Sequence, residues 1–114
     1  MTYLQRWGNK YGAKSSIYNG RTYHSKKEAG RAQELDLLIK AKDIKGWEPQ
    51  YKIDIKVNGY HICNYYIDFR IFENDGTETL EEVKGFETDI WRLKWKLTEA
   101  LYGDDPNIHL RIIK

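Results

Sequence analysis

The stretch Tyr65-Tyr66-Ile67-Asp68-Phe69-Arg70-Ile71-Phe72, then Glu73-Asn74-Asp75-Gly76, then Thr77-Glu78-Thr79-Leu80-Glu81-Glu82-Val83-Lys84 reads as two β-strands joined by a turn. Side chains alternate across a strand. Tyr65, Ile67, Phe69 and Ile71 therefore share one face, and Tyr66, Asp68 and Arg70 take the other. In the second run Leu80, Glu82 and Lys84 share a face, with Glu81 and Val83 opposite. Asp68 and Glu82 each lie about seven residues from Asp75, so antiparallel pairing through the turn sets them side by side. Two carboxylates in contact are unfavourable without a cation, because like charges raise one pKa sharply. Magnesium removes that repulsion and prefers one or two carboxylates with water and phosphate. Lys84 then points into the same place, where it can orient or help deprotonate a water or offset charge at phosphorus. The alternative is a polar sheet face with ordinary cross-strand pairs.

Working outward, residues 50–57 alternate as a strand, and Asn58-Gly59 marks a tight turn into Tyr60-His61-Ile62-Cys63. These pieces read as an antiparallel meander. Upstream, Ser25-Lys26-Lys27-Glu28 matches a capping box opening a helix over about 25–42, with Ala29, Leu35, Leu38, Ile39 and Ala41 on its apolar face. Gly46 is expected to end that helix or form a turn. Asn19-Gly20 predicts a short β-ribbon over 16–23. Downstream, Gly85 breaks the strand and Thr88 caps a second helix over about 89–102. Ile90, Leu93, Leu97 and Leu101 align there at helical spacing, with Trp91 and Trp95 as packing residues on an adjoining stripe. A short strand over 108–113 follows. The expected class is α/β, a central mixed sheet flanked by helices.

A chain of 114 residues suits one domain, and its 40% apolar and 32% charged residues exclude a disordered polymer. No run approaches the ~18 apolar residues needed to cross a bilayer. The opening MTYLQRWGNKYGAK has no apolar signal region, so export is not expected and the chain reads as cytosolic. The single cysteine, Cys63, excludes an intrachain disulfide or a cysteine-rich zinc site and reads as a half-buried strand residue. The net charge of +2 is unevenly spread. Residues 1–32 hold Arg6, Lys10, Lys14, Arg21, Lys26, Lys27 and Arg31 against Glu28 alone, a balance of +6, leaving −4 for the rest. Tyr3, Trp7, Tyr11, Tyr18 and Tyr23 are interleaved with them. Basic residues among aromatics suit a polyanion that also offers stacking surfaces; a solvated, poorly ordered arm is the other reading, and residues 1–16 look like a flexible one.

Asp68, thirteen residues, then Glu82-Val83-Lys84 resembles the signature of the PD-(D/E)XK nuclease superfamily, and Glu28 matches the extra acidic residue of many members. With Tyr11-Gly12-Ala13-Lys14, Ser25-x-x-Glu28, Tyr66-Ile67-Asp68-Phe69, the 74–76 turn, Glu82-Val83-Lys84-Gly85 and Ile108-His109-Leu110-Arg111-Ile112-Ile113, nearly the whole chain resembles phage endonuclease I-type Holliday-junction resolvases. It is also similar to small uncharacterised phage proteins of that clan. Ile67 stands where the motif's name has proline, a residue that shapes the strand and ligates nothing. The resemblance implies a restriction-endonuclease-like core, a Mg²⁺-dependent endonuclease (Mn²⁺ as substitute), branched DNA as substrate, a homodimer, and the host cytoplasm if phage-encoded. It implies that Asp68, Glu82 and the Val83 carbonyl hold metal and that Lys84 is the catalytic lysine. Glu28 would ligate or position a second metal, or serve only as the N3 residue of its capping box. Lys94 and Gln50 are lesser candidates to line the site, Thr88 reads as an N-cap, and His24, His61 and His109 read as surface residues. A non-catalytic DNA-binding protein on a nuclease-like fold is the rival expectation.

Overall fold

A computed structural model of the chain describes residues 15–114. Lys10, Lys14, the motif over 11–14 and nearly all of the expected arm lie outside these residues. Two Asn-Gly turns appear where the sequence puts them. Asn19-Gly20 joins β1 (Ser16–Tyr18) to β2 (Arg21–Tyr23), and Asn58-Gly59 joins β3 (Ile44–Val57) to β4 (Tyr60–Glu73). Both residues of each pair have positive φ, 51° and 79° in the first and 52° and 83° in the second. A type I′ turn requires this, and asparagine and glycine tolerate it best.

Helix α1 (Lys26–Lys40) is capped by Ser25, whose Oγ accepts from the Glu28 N–H at 3.1 Å. Its inner face, Ala29, Ala32 and Leu35, packs with Tyr23, Ile44, Phe69 and Ile71. The helix does not run to Gly46. The Lys42 N–H donates to the Ile39 carbonyl and the Asp43 N–H to the Leu38 carbonyl, with Lys42 at φ 63°. This is a Schellman closure with lysine in the position glycine usually holds. The strand expected at 50 therefore begins at Ile44 and contains Gly46. Lys42→Gly should raise stability by about 0.5–1 kcal/mol, the left-handed cost of lysine less the added unfolded-state freedom of glycine. A higher urea midpoint with unchanged slope is the readout.

The sheet order is β3-β4-β5-β6. Strands β3, β4 and β5 (Glu78–Val83) form the expected antiparallel meander, while β6 (Ile108–Ile113) runs parallel to β5 after α2 (Asp89–Tyr102) crosses over. Pro49 is accommodated because β3 is an edge strand. The fold is α/β, a mixed sheet with helices, and a separate two-stranded ribbon. The two helices cover opposite faces of β5: Glu81 and Val83 turn toward α1, while Leu80 and Glu82 turn toward α2 and its neighbours. Tyr60 to Glu73 is one continuous strand, where the sequence suggested a break after Cys63.

Helix α2 buries a different stripe from the aliphatic one expected. Trp91, Trp95 and Thr98 face inward, while Ile90, Leu93 and Leu101 are exposed and Leu97 is half-buried. Each indole removes more apolar area than a leucine, and the Trp91 Nε1–H also finds the Tyr65 hydroxyl at 2.8 Å. The two indoles stack with centroids 6.0 Å apart.

Tyr65, Ile67, Phe69 and Ile71 are all buried, but they do not share the one face that alternation predicts. Phe69 and Ile71 join the core under α1, whereas Tyr65 and Ile67 join the core around Trp91 and Trp95 on the side of α2. The change of partner falls at Asp68. Gln50, at φ 53°, lies across from it, between the pairs Pro49–Phe69 and Tyr51–Ile67. No helix among the described residues is long and apolar enough to cross a membrane.

Candidate active site

Strand β5 carries two consecutive glutamates, both buried, with opposite electrostatic surroundings. Glu81 is fully buried and compensated. Arg31 reaches it through Nε at 2.6 Å and a second nitrogen at 2.9 Å, and Arg111 adds a bond of 3.2 Å. Glu82, 2% exposed, receives a bond from the Tyr65 hydroxyl at 2.7 Å, and Asp68 lies within hydrogen-bonding reach of it. Burial, then the Asp68 charge, pushes the Glu82 carboxyl up to about 9.

Asp68 is in register with this site, since the neighbouring pair is Phe69–Glu81. Its Oδ2 accepts from the Val83 N–H at 2.8 Å, which fixes the carboxylate against the end of β5. Glu28 completes the group from the first turn of α1. It is 5% exposed, its Oε1 accepts from the His24 N–H at 3.0 Å, and its carboxyl lies within hydrogen-bonding reach of Asp68. Burial, followed by the contact with Asp68, pushes it up to about 8. Both readings of Glu28 thus have structural content, because its backbone is capped by Ser25 while its side chain belongs to the carboxylate group.

Lys84, just past β5, holds its Nζ 4.9 Å from the centroid of the Trp91 ring. Its charge opposes the upward shifts of Glu28 and Glu82 without overcoming them. A hydrogen-bonded chain thus runs from Trp91 through Tyr65 to Glu82, and Trp91 also supports Lys84. Tyr65 and Trp91 look like core residues in the sequence; nothing in their spacing marks the polar ends of their rings as site supports.

Two adjoining cavities meet over these residues. One, of about 600 Å³, is lined by Glu28, Asp68, Val83 and Lys84 with Lys27 and Phe86. The other, of about 380 Å³, is lined by Asp68, Glu82 and Lys84 with Gln50, Tyr66 and Lys94. His24 and Thr88 line both. Thr88 also caps α2 as expected, its Oγ1 accepting from the Trp91 N–H at 3.1 Å. His24 is a site-lining residue that the sequence did not single out; its place directly before the Ser25 cap is the only signal it offered. His61 is instead paired with Asp54, and His109 lines a cavity with Asp43, Glu73 and Asp75.

The basic residues divide. Lys27 and Lys94 line the cavities, and Arg21 and Lys26 are exposed. Arg31, expected to contact DNA, is instead occupied by Glu81, with its side chain 14% exposed. A fully buried carboxylate demands a partner more strongly than solvent does. Arg70, on the Asp68 face, is likewise committed to Glu78 and Glu48.

Among the described residues no three His, Cys, Asp or Glu side chains form a ready-made metal cluster. The carboxylates are instead linked in sequence through Asp68, from Glu28 to Asp68 to Glu82. This donor set fits a hard divalent ion, which needs only one or two carboxylates and completes its shell with water and phosphate.

The raised carboxyls have a consequence for the metal-free protein. The folded chain keeps protons on Glu28 and Glu82 that the unfolded chain releases near 4.5. Folding then takes up protons at neutral pH, and stability falls as pH rises from about 5 to about 9. Thermal melts in EDTA across that range should show the decline, and Glu82→Gln should flatten it and raise the melting temperature at pH 8.

No curated protein matches the sequence. A family profile does, over residues 8–114, nearly the whole chain: the protein belongs to the DUF1064 family, described as a protein of unknown function.

Proposed function

We propose that this protein is a Mg²⁺-dependent endodeoxyribonuclease that hydrolyses phosphodiester bonds, with branched DNA as its substrate class. One observation supports the reading above the others. Of two adjacent buried glutamates, Glu81 has two arginines and Glu82 has Asp68. Such a carboxylate pair makes electrostatic sense as a place for a divalent ion. The PD-(D/E)XK resemblance carried by Asp68, Glu82, Val83 and Lys84 agrees with it.

In this reading Asp68 and Glu82 hold Mg²⁺, or Mn²⁺ in its place, with the Val83 carbonyl as a further donor. Glu28 ligates or positions a second ion. Bound metal supplies a water of lowered pKa and offsets the charge of the phosphate. The Val83 N–H holds the Asp68 oxygen in place, and the Tyr65 hydroxyl holds Glu82. The Lys84 ammonium, supported over Trp91, orients the attacking water or neutralises charge as the P–O bond breaks. Attack is direct, without a covalent intermediate. Lys27 and Lys94, with Lys10, Lys14, Arg21 and Lys26, hold the DNA backbone, so binding weakens as salt rises. Paired cuts in a junction need two such sites, hence a homodimer, and the setting is the cytoplasm.

The test incubates the protein with four-way junction, duplex and single-stranded DNA in Mg²⁺ or Mn²⁺, beside Asp68→Ala and Lys84→Ala. Cleavage by wild type and none by the variants is expected. Wild type that cuts no DNA, or variants that cut equally well, would overturn the reading and leave a DNA-binding protein on this fold.

A further inference from the structure

The smaller cavity has a composition that two carboxylates and a lysine do not explain. Tyr66 lines it while 52% exposed, although its neighbours Tyr65 and Ile67 are buried. Ile90 lines it while 69% exposed, in the first turn of α2. Lys94, one helical turn further and on the same side of the helix, also lines it, its Nζ donating to the Asn64 carbonyl at 3.3 Å. Gln50 adds an amide. The site therefore offers an aromatic and an aliphatic surface, a cation and an amide, directly beside Asp68 and Glu82.

An apolar rim beside charged residues matches a ligand with the same division. A phosphodiester presents charge only. A nucleotide presents an anionic phosphate and a flat apolar base, and aromatic side chains stack on bases of any sequence. In a paired duplex each base is already stacked on both faces and engaged at its edge. Only an unpaired nucleotide can present its face to Tyr66 and Ile90, its edge to Gln50 and its phosphate to Lys94.

We infer that Tyr66, Ile90, Lys94 and Gln50 form a subsite for one unpaired nucleotide of DNA next to the cleaved bond. The inference rests on the nuclease reading for its location and deepens it. A branch point or a single-stranded segment is then selected because it supplies a free base, and the selectivity is carried by this chain's own cavity.

The test uses DNA carrying 2-aminopurine at an unpaired position in a flap, and the same sequence as full duplex, bound in Ca²⁺ by wild type, Tyr66→Ala and Tyr66→Trp. Circular dichroism checks that each variant is folded, as expected for an exposed residue. Wild type should quench the unpaired 2-aminopurine on binding. Tyr66→Ala should abolish the quench and weaken flap binding roughly tenfold more than duplex binding. Tyr66→Trp should restore both. Equal effects of Tyr66→Ala on flap and duplex, or no effect, would overturn the subsite. Wild type that quenches the flap yet cuts no DNA in Mg²⁺ or Mn²⁺ would sink the nuclease reading and support the subsite. Wild type that cuts DNA while Tyr66→Ala behaves like it would leave the nuclease and remove the subsite.

Discussion

Asp68→Ala and Lys84→Ala should each lower Mg²⁺-dependent DNA cleavage by at least about 10³-fold. The two losses should differ in kind. Asp68 is the shared neighbour of Glu28 and Glu82, so removing it dissolves the charge set that asks for a cation. Its variant should need far more metal to reach any given rate, and should melt no lower in EDTA at pH 8, because a like-charge contact has gone. Lys84 sits over the Trp91 ring and makes no ion pair with a carboxylate among the described residues, so its removal should leave metal affinity nearly intact while the chemical step slows. Single-turnover cleavage over a metal titration separates the two patterns. Equal metal dependence in both variants would place Lys84 among the groups that hold the ion.

Arg31→Met should destabilise the protein by about 3–5 kcal/mol, because it strips the chief partner from a fully buried carboxylate. That is a large part of the 5–15 kcal/mol typical of a domain, and it corresponds to a fall in melting temperature on the order of 15–25 °C. Arg111 cannot compensate alone, since its side chain is 46% exposed and makes one contact of 3.2 Å. Replacing Glu81 as well, in Arg31→Met/Glu81→Leu, should recover most of the loss, because no charge is then buried unpaired. Calorimetry of the three proteins decides it. An Arg31→Met protein that melts like wild type but binds DNA weakly would return Arg31 to the contact surface.

Much of the fold was legible because it rests on local chemistry. The Asn-Gly turns, the Ser25 and Thr88 caps and the period-two pattern through Asp68 and Glu82 are short-range signals. The parity of β5, with Glu82 and Lys84 apart from Glu81, followed from alternation alone. Other features depend on contacts distant in sequence. Arg31 reads as one more basic residue among many until Glu81, fifty positions later, claims it. The exposed Ile90–Leu93–Leu101 stripe and the buried tryptophans could not be ranked by helical spacing, which fits either stripe. The end of α1 falls close to the expected 42, but its closing residue was not legible, because lysine at a left-handed C′ position leaves no mark in the sequence while Gly46, a strong stop signal, lies inside β3. Glu28 was legible as the N3 residue of a helix capped by Ser25, but its side-chain contacts with the His24 N–H and with Asp68 depend on how α1 packs.

The change of partner along β4 bears on cooperativity. Phe69 and Ile71 belong to one packing unit and Tyr65 and Ile67 to the other, and Asp68 lies on the seam between them. Glu28 comes from the first unit, and Glu82 is tied through Tyr65 to the second. The three carboxyls of the site thus meet where the two units join. If the proposed cation binds there it would act as a clasp, and adding Mg²⁺ should make the amide hydrogens of the two packing units exchange together.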